Sequence, residues 1–229
     1  SENRLALQEL LPEAIISCYD SYDDSQLSHL LDWADVVCIG CGLGMGQISE
    51  KILKNVLKNV SCPCVIDADG LNLLSRNIEL LNQCCAPVIL TPHMKEMSRL
   101  TGWSIDKIME DRFQALDQII KQSGPDTKSS IICVLKDSRT VVAQTNRQKF
   151  VNLAGNNSMA KGGSGDVLAG TIAGLLAQHM APFEAAAVGV FLHACGGDEA
   201  KKSKGSYSVL ARDLIQGMAD AMKNAKECR

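Results

Sequence analysis

Ala34-Asp35-Val36-Val37-Cys38-Ile39-Gly40 runs into Cys41-Gly42-Leu43-Gly44-Met45-Gly46, and Gln47 to Asn59 then carries Ile48, Ile52, Leu53, Val56 and Leu57 at helical spacing. A short apolar run ending in glycine reads as a buried strand, and the periodic segment as an amphipathic helix. The same unit recurs downstream. Cys64 to Asp67 is a second strand, with Leu71 and Leu74 in a short helix. Pro87 to Leu90 is a third, followed by Thr91-Pro92-His93 and a helix through Leu100. Ser104 can cap the next helix, which carries Ile108, Phe113, Leu116, Ile119 and Ile120. Ile131 to Leu135 is a fourth strand. Asp137-Ser138-Arg139 turns into Thr140 to Ala143, with Lys149 to Asn152 beside it. Beyond that the pattern is helical, over Asp166 to His179, Pro182 to Lys201 and Val209 to Lys226. Alternation of strand and helix predicts an α/β fold in three layers. Its central sheet is mostly parallel and ligands bind at the carboxyl ends of its strands.

The 229 residues suffice for one sizeable core, and neither an internal repeat nor a low-complexity linker divides them, so 1–229 reads as a single domain. Net charge is −3 without a block of like charges, which gives no electrostatic ground for nucleic acid or an anionic membrane as partner. Aromatic residues, at 4%, are too few for base-stacking platforms. No apolar run reaches the length of a membrane span; Val167 to Ala177 comes nearest. Of ten cysteines, only Cys38 and Cys41 have C-x-x-C spacing, and no second pair follows at zinc-ribbon distance. Cysteine used as a small apolar residue in a reducing cytoplasm is the preferred reading over a metal or redox site.

The strongest chemical signal is Gly162-Gly163-Ser164-Gly165-Asp166, which opens directly into an apolar helix. Glycines allow close backbone approach, and a helix start offers unpaired N–H groups with positive dipole character, so the segment reads as an anion site. Asp166 stands beside that anion; the plain alternative is an N-cap aspartate after a turn. Because the helix is apolar on nearly every side, it is expected to be buried with its start facing inward. No Gly-Lys-Ser/Thr follows the glycines, so this is not a Walker A loop. Asp67 and Asp69 at a strand end can hold a magnesium ion through water or make loop and cap hydrogen bonds; no metal ligand is assigned. His193 and Asp198 share a helix but face apart and are read as structural.

The stretch from Gly155-Asn156-Asn157-Ser158-Met159-Ala160-Lys161 through Gly162-Gly163-Ser164-Gly165-Asp166-Val167-Leu168-Ala169-Gly170 closely resembles the signature of the ADP/ATP-dependent NAD(P)H-hydrate dehydratases, in the ribokinase-like superfamily. Four further segments resemble family motifs in the same order: Gly40-Cys41-Gly42-Leu43-Gly44, Asp67-Ala68-Asp69-Gly70-Leu71-Asn72, Leu90-Thr91-Pro92-His93 with Glu96, and Lys136 with Thr140. The chain departs from the pattern at Cys41, at Met94-Lys95 and at Asp137, and the family's opening strand and helix are not found before Ser1.

The resemblance implies a three-layer ribokinase-like fold and repair of damaged nicotinamide cofactor. A ring hydroxyl of hydrated NADH or NADPH is phosphorylated with ADP or ATP and magnesium, and loss of phosphate restores NAD(P)H. It implies that Gly42, Gly44, His93 and Asp166 contact the hydrate, and that Lys136, Asp137, Ser138, Arg139, Thr140, Gly163, Ser164 and Gly165 contact the adenine nucleotide. Asp166 would be the general base. The Thr91-Pro92-His93 form of its motif resembles the bacterial, ADP-favouring branch. A cytoplasmic homo-oligomer, by the family's habit a homotetramer, is expected. The alternatives are a kinase of a thiazole or pyrimidine vitamin precursor and a non-catalytic nucleotide-binding module.

Overall fold

A computed structural model describes residues 4–18, 21–121, 130–145 and 149–227. After α1 (Arg4–Leu10) and α2 (Asp24–Trp33), the chain runs β1 (Val37–Ile39), α3 (Gln47–Asn59), β2 (Cys64–Ile66), α4 (Ala68–Leu74), β3 (Val88–Leu90), α5 (Met94–Thr101), α6 (Ile105–Glu110), α7 (Arg112–Ile120) and β4 (Ile131–Leu135). It continues through β5 (Val141–Gln144), β6 (Phe150–Val151), α8 (Ser164–Ala177), α9 (Pro182–Lys204) and α10 (Ala211–Glu227). The six strands lie in sequence order; β1 to β4 are mutually parallel, and β5 and β6 continue the sheet antiparallel. This is the mostly parallel α/β arrangement that the alternating pattern predicts.

Strand pleating sorts side chains between two cores. Cys64, Ile66, Val88, Leu90, Ile131, Cys133, Leu135, Val141 and Ala143 face one layer, where α3, α4, α5 and α7 supply Leu53, Leu57, Leu71, Met97 and Leu116. Val65, Ile89, Ile132, Val134 and Val142 face the other, against Leu168, Ala169 and Ile172 of α8 and Ala185 and Val190 of α9. Burial on both faces explains why these strands are continuous apolar runs. Among the described residues, the helices that connect the parallel strands lie in the first layer, and α8 and α9, after β6, cover the second face. That return brings the start of α8 to the carboxyl ends of the strands. Among the described residues, no helix is long and apolar enough to cross a membrane.

Four expectations need correction. The helix after Ser104 is two, because Asp111 ends α6 and caps α7 by accepting the Gln114 N–H (2.8 Å), and Phe113 is half-exposed. Helix α8 begins at Ser164 and not at Asp166; its N-cap is Gly163, at φ +85°, so Asp166 is the third helical residue and not a cap. Nor is α8 buried all round, since Gly170, Gly174 and Ala177 are exposed. The strand read from Ala34 is confined to Val37–Ile39.

Candidate active site

Four strands end at one edge of the sheet, and the residue after each is polar or glycine: Gly40, Asp67, Thr91 and Lys136. Asp67 is 1% exposed, and Lys136 Nζ lies 2.6 Å from its Oδ1. The ammonium also lies 4.0 Å from Glu96 Oε2, so one cation faces two buried carboxyls. Burial pushes Glu96 above the usual carboxylate range. Gly165 packs directly on this pair: a Cβ there would stand 3.2 Å from Lys136 Nζ and 3.5 Å from Asp67 Oδ2. The first turn of α8 thus rests on the Lys136–Asp67 pair, with its free N–H groups at the strand ends. The Asp166 carboxylate reaches the same place, and one polar atom each of Cys41, Asp67 and Asp166 lie within 4.8 Å of one another.

The Gly40–Gly46 loop forms the adjoining wall. Gly40 sits at φ +121°, and a Cβ there would fall 1.9 Å from the Asp67 carbonyl oxygen, so only glycine lets this loop lie against the β2–α4 connection. Gly44 N–H donates to Asp69 Oδ2 (2.8 Å), which fixes the loop and uses Asp69 for loop bonding. The His93 side chain caps α5: Nδ1 accepts from the N–H groups of Lys95 (3.0 Å) and Glu96 (3.3 Å), while Glu96 Oε2 accepts the His93 N–H (2.9 Å). Two N–H groups on Nδ1 put the neutral ring's proton on Nε2, 3.3 Å from Glu96 Oε1. Burial, then the cations of Lys136 and Arg99, hold His93 below its ordinary pKa, which keeps it neutral.

The β4–β5 turn is held from outside. Arg112 pairs with Asp137 (2.8 Å), Thr140 Oγ1 donates to the Asp137 carbonyl (3.1 Å), and Arg139 donates to the Leu153 carbonyl (3.1 Å). Asp137, Ser138 and Arg139 are exposed on this turn. Of the residues expected from sequence, Asp166, Gly165 and Lys136 converge with Asp67 and Cys41, and Gly44 joins through Asp69. His93 joins through Glu96 and a bridge to Lys136. Gly163 instead faces Ala211 of α10.

Three residues support the site from behind: Glu96, and His193 and Asp198, which the sequence reading took as structural. Glu96 joins His93 to Lys136; its place three residues after His93 is a capping-box signature that could have been read. His193, 8% exposed, brings Nε2 within 3.5 Å of Ser164 Oγ and so supports the start of α8 from beneath. Burial lowers its pKa to about 4. Asp198 accepts from Gly155 N–H (3.1 Å) and Asn156 Nδ2 (2.7 Å), anchoring the segment that leads to the glycine loop.

The model of a family described as NAD(P)H-hydrate dehydratase matches residues 1–219. The chain belongs to the NAD(P)H-hydrate dehydratase family. Over 193 residues this family member is 38% identical to the bifunctional NAD(P)H-hydrate repair enzyme Nnr of Moorella thermoacetica, covering 84% of this chain and 35% of that protein. It is 36% identical over 222 residues to the ADP-dependent (S)-NAD(P)H-hydrate dehydratase of Neisseria meningitidis, covering 95% and 73%. Among solved structures, the ADP/ATP-dependent NAD(P)H-hydrate dehydratase of Bacillus subtilis, co-crystallised with ATP and Mg2+, superimposes with a TM-score of 0.79 at 28% identity, over 97% of this chain and 76% of that one. Ribokinase of Thermotoga maritima, at 17% identity and a TM-score of 0.54 over 87% and 60%, shares the fold alone. The chain spans only about a third of the length of bifunctional relatives such as the Moorella protein.

Proposed function

We propose that this chain, a single ribokinase-like domain, restores NADH and NADPH from their hydrates by ADP- or ATP-dependent dehydration. The observation that carries the reading is the convergence of the Asp166 carboxylate, the first turn of α8 and the Lys136–Asp67 pair at the strand ends. Phosphoryl transfer needs a base at the attacking hydroxyl and fixed positive dipoles where charge gathers on the phosphoryl oxygens. In this reading Asp166 accepts the hydroxyl proton and the amides of Gly163, Gly165 and Asp166 bind the phosphoryl oxygens, the Ser164 N–H being spent on the Lys161 carbonyl (3.3 Å). The oxygen freed of its proton attacks the terminal phosphorus, and the bond to the nucleotide's leaving oxygen breaks. Loss of that phosphate and of one ring proton then regenerates the double bond.

Gly42, Gly44, His93 and Asp166 hold the hydrate in this reading. His93, neutral with its proton on Nε2 facing Glu96 Oε1 (3.3 Å), presents its half-exposed ring to the substrate. Lys136 to Thr140 and Gly163 to Gly165 hold the adenine nucleotide. The donor set fits magnesium only as an ion carried by phosphates and water. Asp67 is already paired with Lys136 and Asp69 with Gly44, and a protonated Cys41 thiol is a poor ligand for a hard ion. When bound, the ion neutralises transferring phosphate charge. ADP is the preferred donor by the Thr91-Pro92-His93 motif, in keeping with the ADP-dependent relative from Neisseria meningitidis.

Nine free cysteines among the described residues support a reducing, cytoplasmic setting. Phe191, Ile215 and Met222, exposed on α9 and α10, support assembly into a homo-oligomer, by the family's habit a homotetramer. The test is to incubate the chain with hydrated NADH, magnesium and ADP, and separately with hydroxyethylthiazole and hydroxymethylpyrimidine. Return of the reduced-nicotinamide absorbance is expected. Phosphorylation of a vitamin-precursor alcohol with no return of that absorbance would replace this reading with a kinase.

A further inference from the structure

Glu96 makes more contacts than a helix cap needs. Its Oε2 accepts the His93 N–H (2.9 Å), which completes the capping box of α5. Its other oxygen, Oε1, stands 3.3 Å from His93 Nε2, and Oε2 also lies 4.0 Å from Lys136 Nζ. The residues whose side chains cap α2, α6 and α7, namely Asp23, Ser104 and Asp111, are all exposed. The Glu96 side chain is only 6% exposed. Burying a carboxyl costs free energy that a solvent-facing cap avoids, so its position calls for a role beyond the cap.

The backbone sets two site residues side by side. Lys136 N–H donates to the Pro92 carbonyl (2.8 Å), and His93 and Lys136 pair in a parallel bridge. Glu96, in the first turn of α5, reaches both side chains. His93 is held at its N–H by Glu96, at Nδ1 by the N–H groups of Lys95 and Glu96, and at Nε2 by Glu96 again, so its ring has one orientation. Lys136 Nζ is held between Asp67 Oδ1, at 2.6 Å, and the same Glu96 carboxyl.

We propose that Glu96 is a positioning residue shared by both substrates: its carboxyl fixes the His93 ring for the hydrate and the Lys136 ammonium for the nucleotide, and touches neither ligand. The assignment of the two ligands rests on the dehydratase reading; the tie between the side chains does not. Glu96→Gln isolates the role. The amide keeps the size of the side chain and offers its oxygen to the His93 N–H, so α5 stays capped. Its NH2 group cannot accept from Nε2, and it carries no charge for Lys136. With a donor set against Nε2, the ring proton moves to Nδ1, where it opposes two backbone N–H groups, or the ring turns away. Loss of a hydrogen bond or contact to a charged group is worth roughly ten-fold or more in binding.

Steady-state kinetics of the full chain should show KM for hydrated NADH and for ADP each raised about ten-fold in Glu96→Gln, with kcat within about three-fold because Asp166 is untouched. Nitrogen-15 spectra resolve the four histidine rings, with His93 identified by its loss in His93→Gln. The native proton should lie on Nε2, and that signature should vanish in Glu96→Gln. Gly102→Ala strains the far end of α5, at φ +72° with open space around it, and should lower Tm with both KM values unchanged. A native proton on Nδ1, a rise in KM for one substrate alone, or a Glu96→Gln chain that behaves like Gly102→Ala overturns the proposal. A native chain that turns over no hydrate refutes the dehydratase reading instead; the His93 tautomer and calorimetric titration with ADP then still decide whether Glu96 holds both side chains.

Discussion

Lys136→Met keeps the length of the side chain and removes the charge between Asp67 and Glu96. Two unit charges 2.6 Å apart attract by roughly 6 kcal/mol at an effective dielectric of about 20. Desolvation of both groups offsets part of this, and removing one partner of a buried pair costs about 3–5 kcal/mol, because the other charge stays buried alone. The Asp67 side chain is 2% exposed and that of Lys136 is 18% exposed, so the lower end of that range applies. We expect a loss of about 3 kcal/mol, or a Tm lower by roughly 6–12 °C for a chain of this size. Urea unfolding at neutral pH, followed by circular dichroism, measures it. Asp67→Asn in the same chain removes the stranded charge, so the double variant should recover about half of the loss or more. A single variant within about 1 kcal/mol of the native protein, or a double variant that loses the sum of both single losses, would refute the pairing as the support beneath α8.

Asp166→Asn should lower turnover by about a hundred- to ten-thousand-fold with ADP affinity nearly unchanged, read by steady-state kinetics and calorimetric titration; near-native turnover would make Asp166 a helix-start residue only. His193 is held at about 4, below its ordinary 6.5, so the unfolded chain binds its proton first as pH falls. Its contribution is complete above 6.5 and is lost between 6.5 and 4, about 3 kcal/mol in all. Urea unfolding across that window should show the loss in the native chain and a shallower one in His193→Gln. Gly40→Ala places a Cβ against the Asp67 carbonyl at φ +121° and should cost about 3 kcal/mol or more; a thermal melt unchanged within the error of the measurement contradicts the close approach.

The four parallel strands and α3 were legible because each is a local pattern: an apolar run between turn residues, or a 3.6-residue stripe. The gathering of Asp166, Gly165 and Lys136 was not written in any spacing. Lys136 and Asp67 lie 69 residues apart, and only the parallel order of β2, β3 and β4 makes them neighbours. Asp111 was legible as a cap, yet Ile108 and Phe113 on either side fit one helical stripe, and the stripe masked the break. In α8, apolar composition was taken for burial. Gly170 and Gly174 present almost no side-chain surface, so their exposure costs little, and the helix can be apolar without being enclosed. Its first turn lies upstream of the residue expected to open it, because Gly163 turns the chain at φ +85°, a conformation glycine adopts without strain, and the helix starts directly after it at Ser164. His193 and Asp198 are structural, as read, but their partners were not legible because each serves a segment distant in sequence, the first through Ser164 and the second through Gly155 and Asn156.

The proposed dehydration spends one phosphoryl group for every nicotinamide ring restored. Purified chain given hydrated NADH, magnesium and ADP is followed at once by reduced-nicotinamide absorbance and by release of inorganic phosphate. The two should rise together in a one-to-one ratio, with AMP as the nucleotide product and no signal when ADP and ATP are omitted. Restoration of NADH without nucleotide, or phosphate release that leaves the hydrate unchanged, would contradict it.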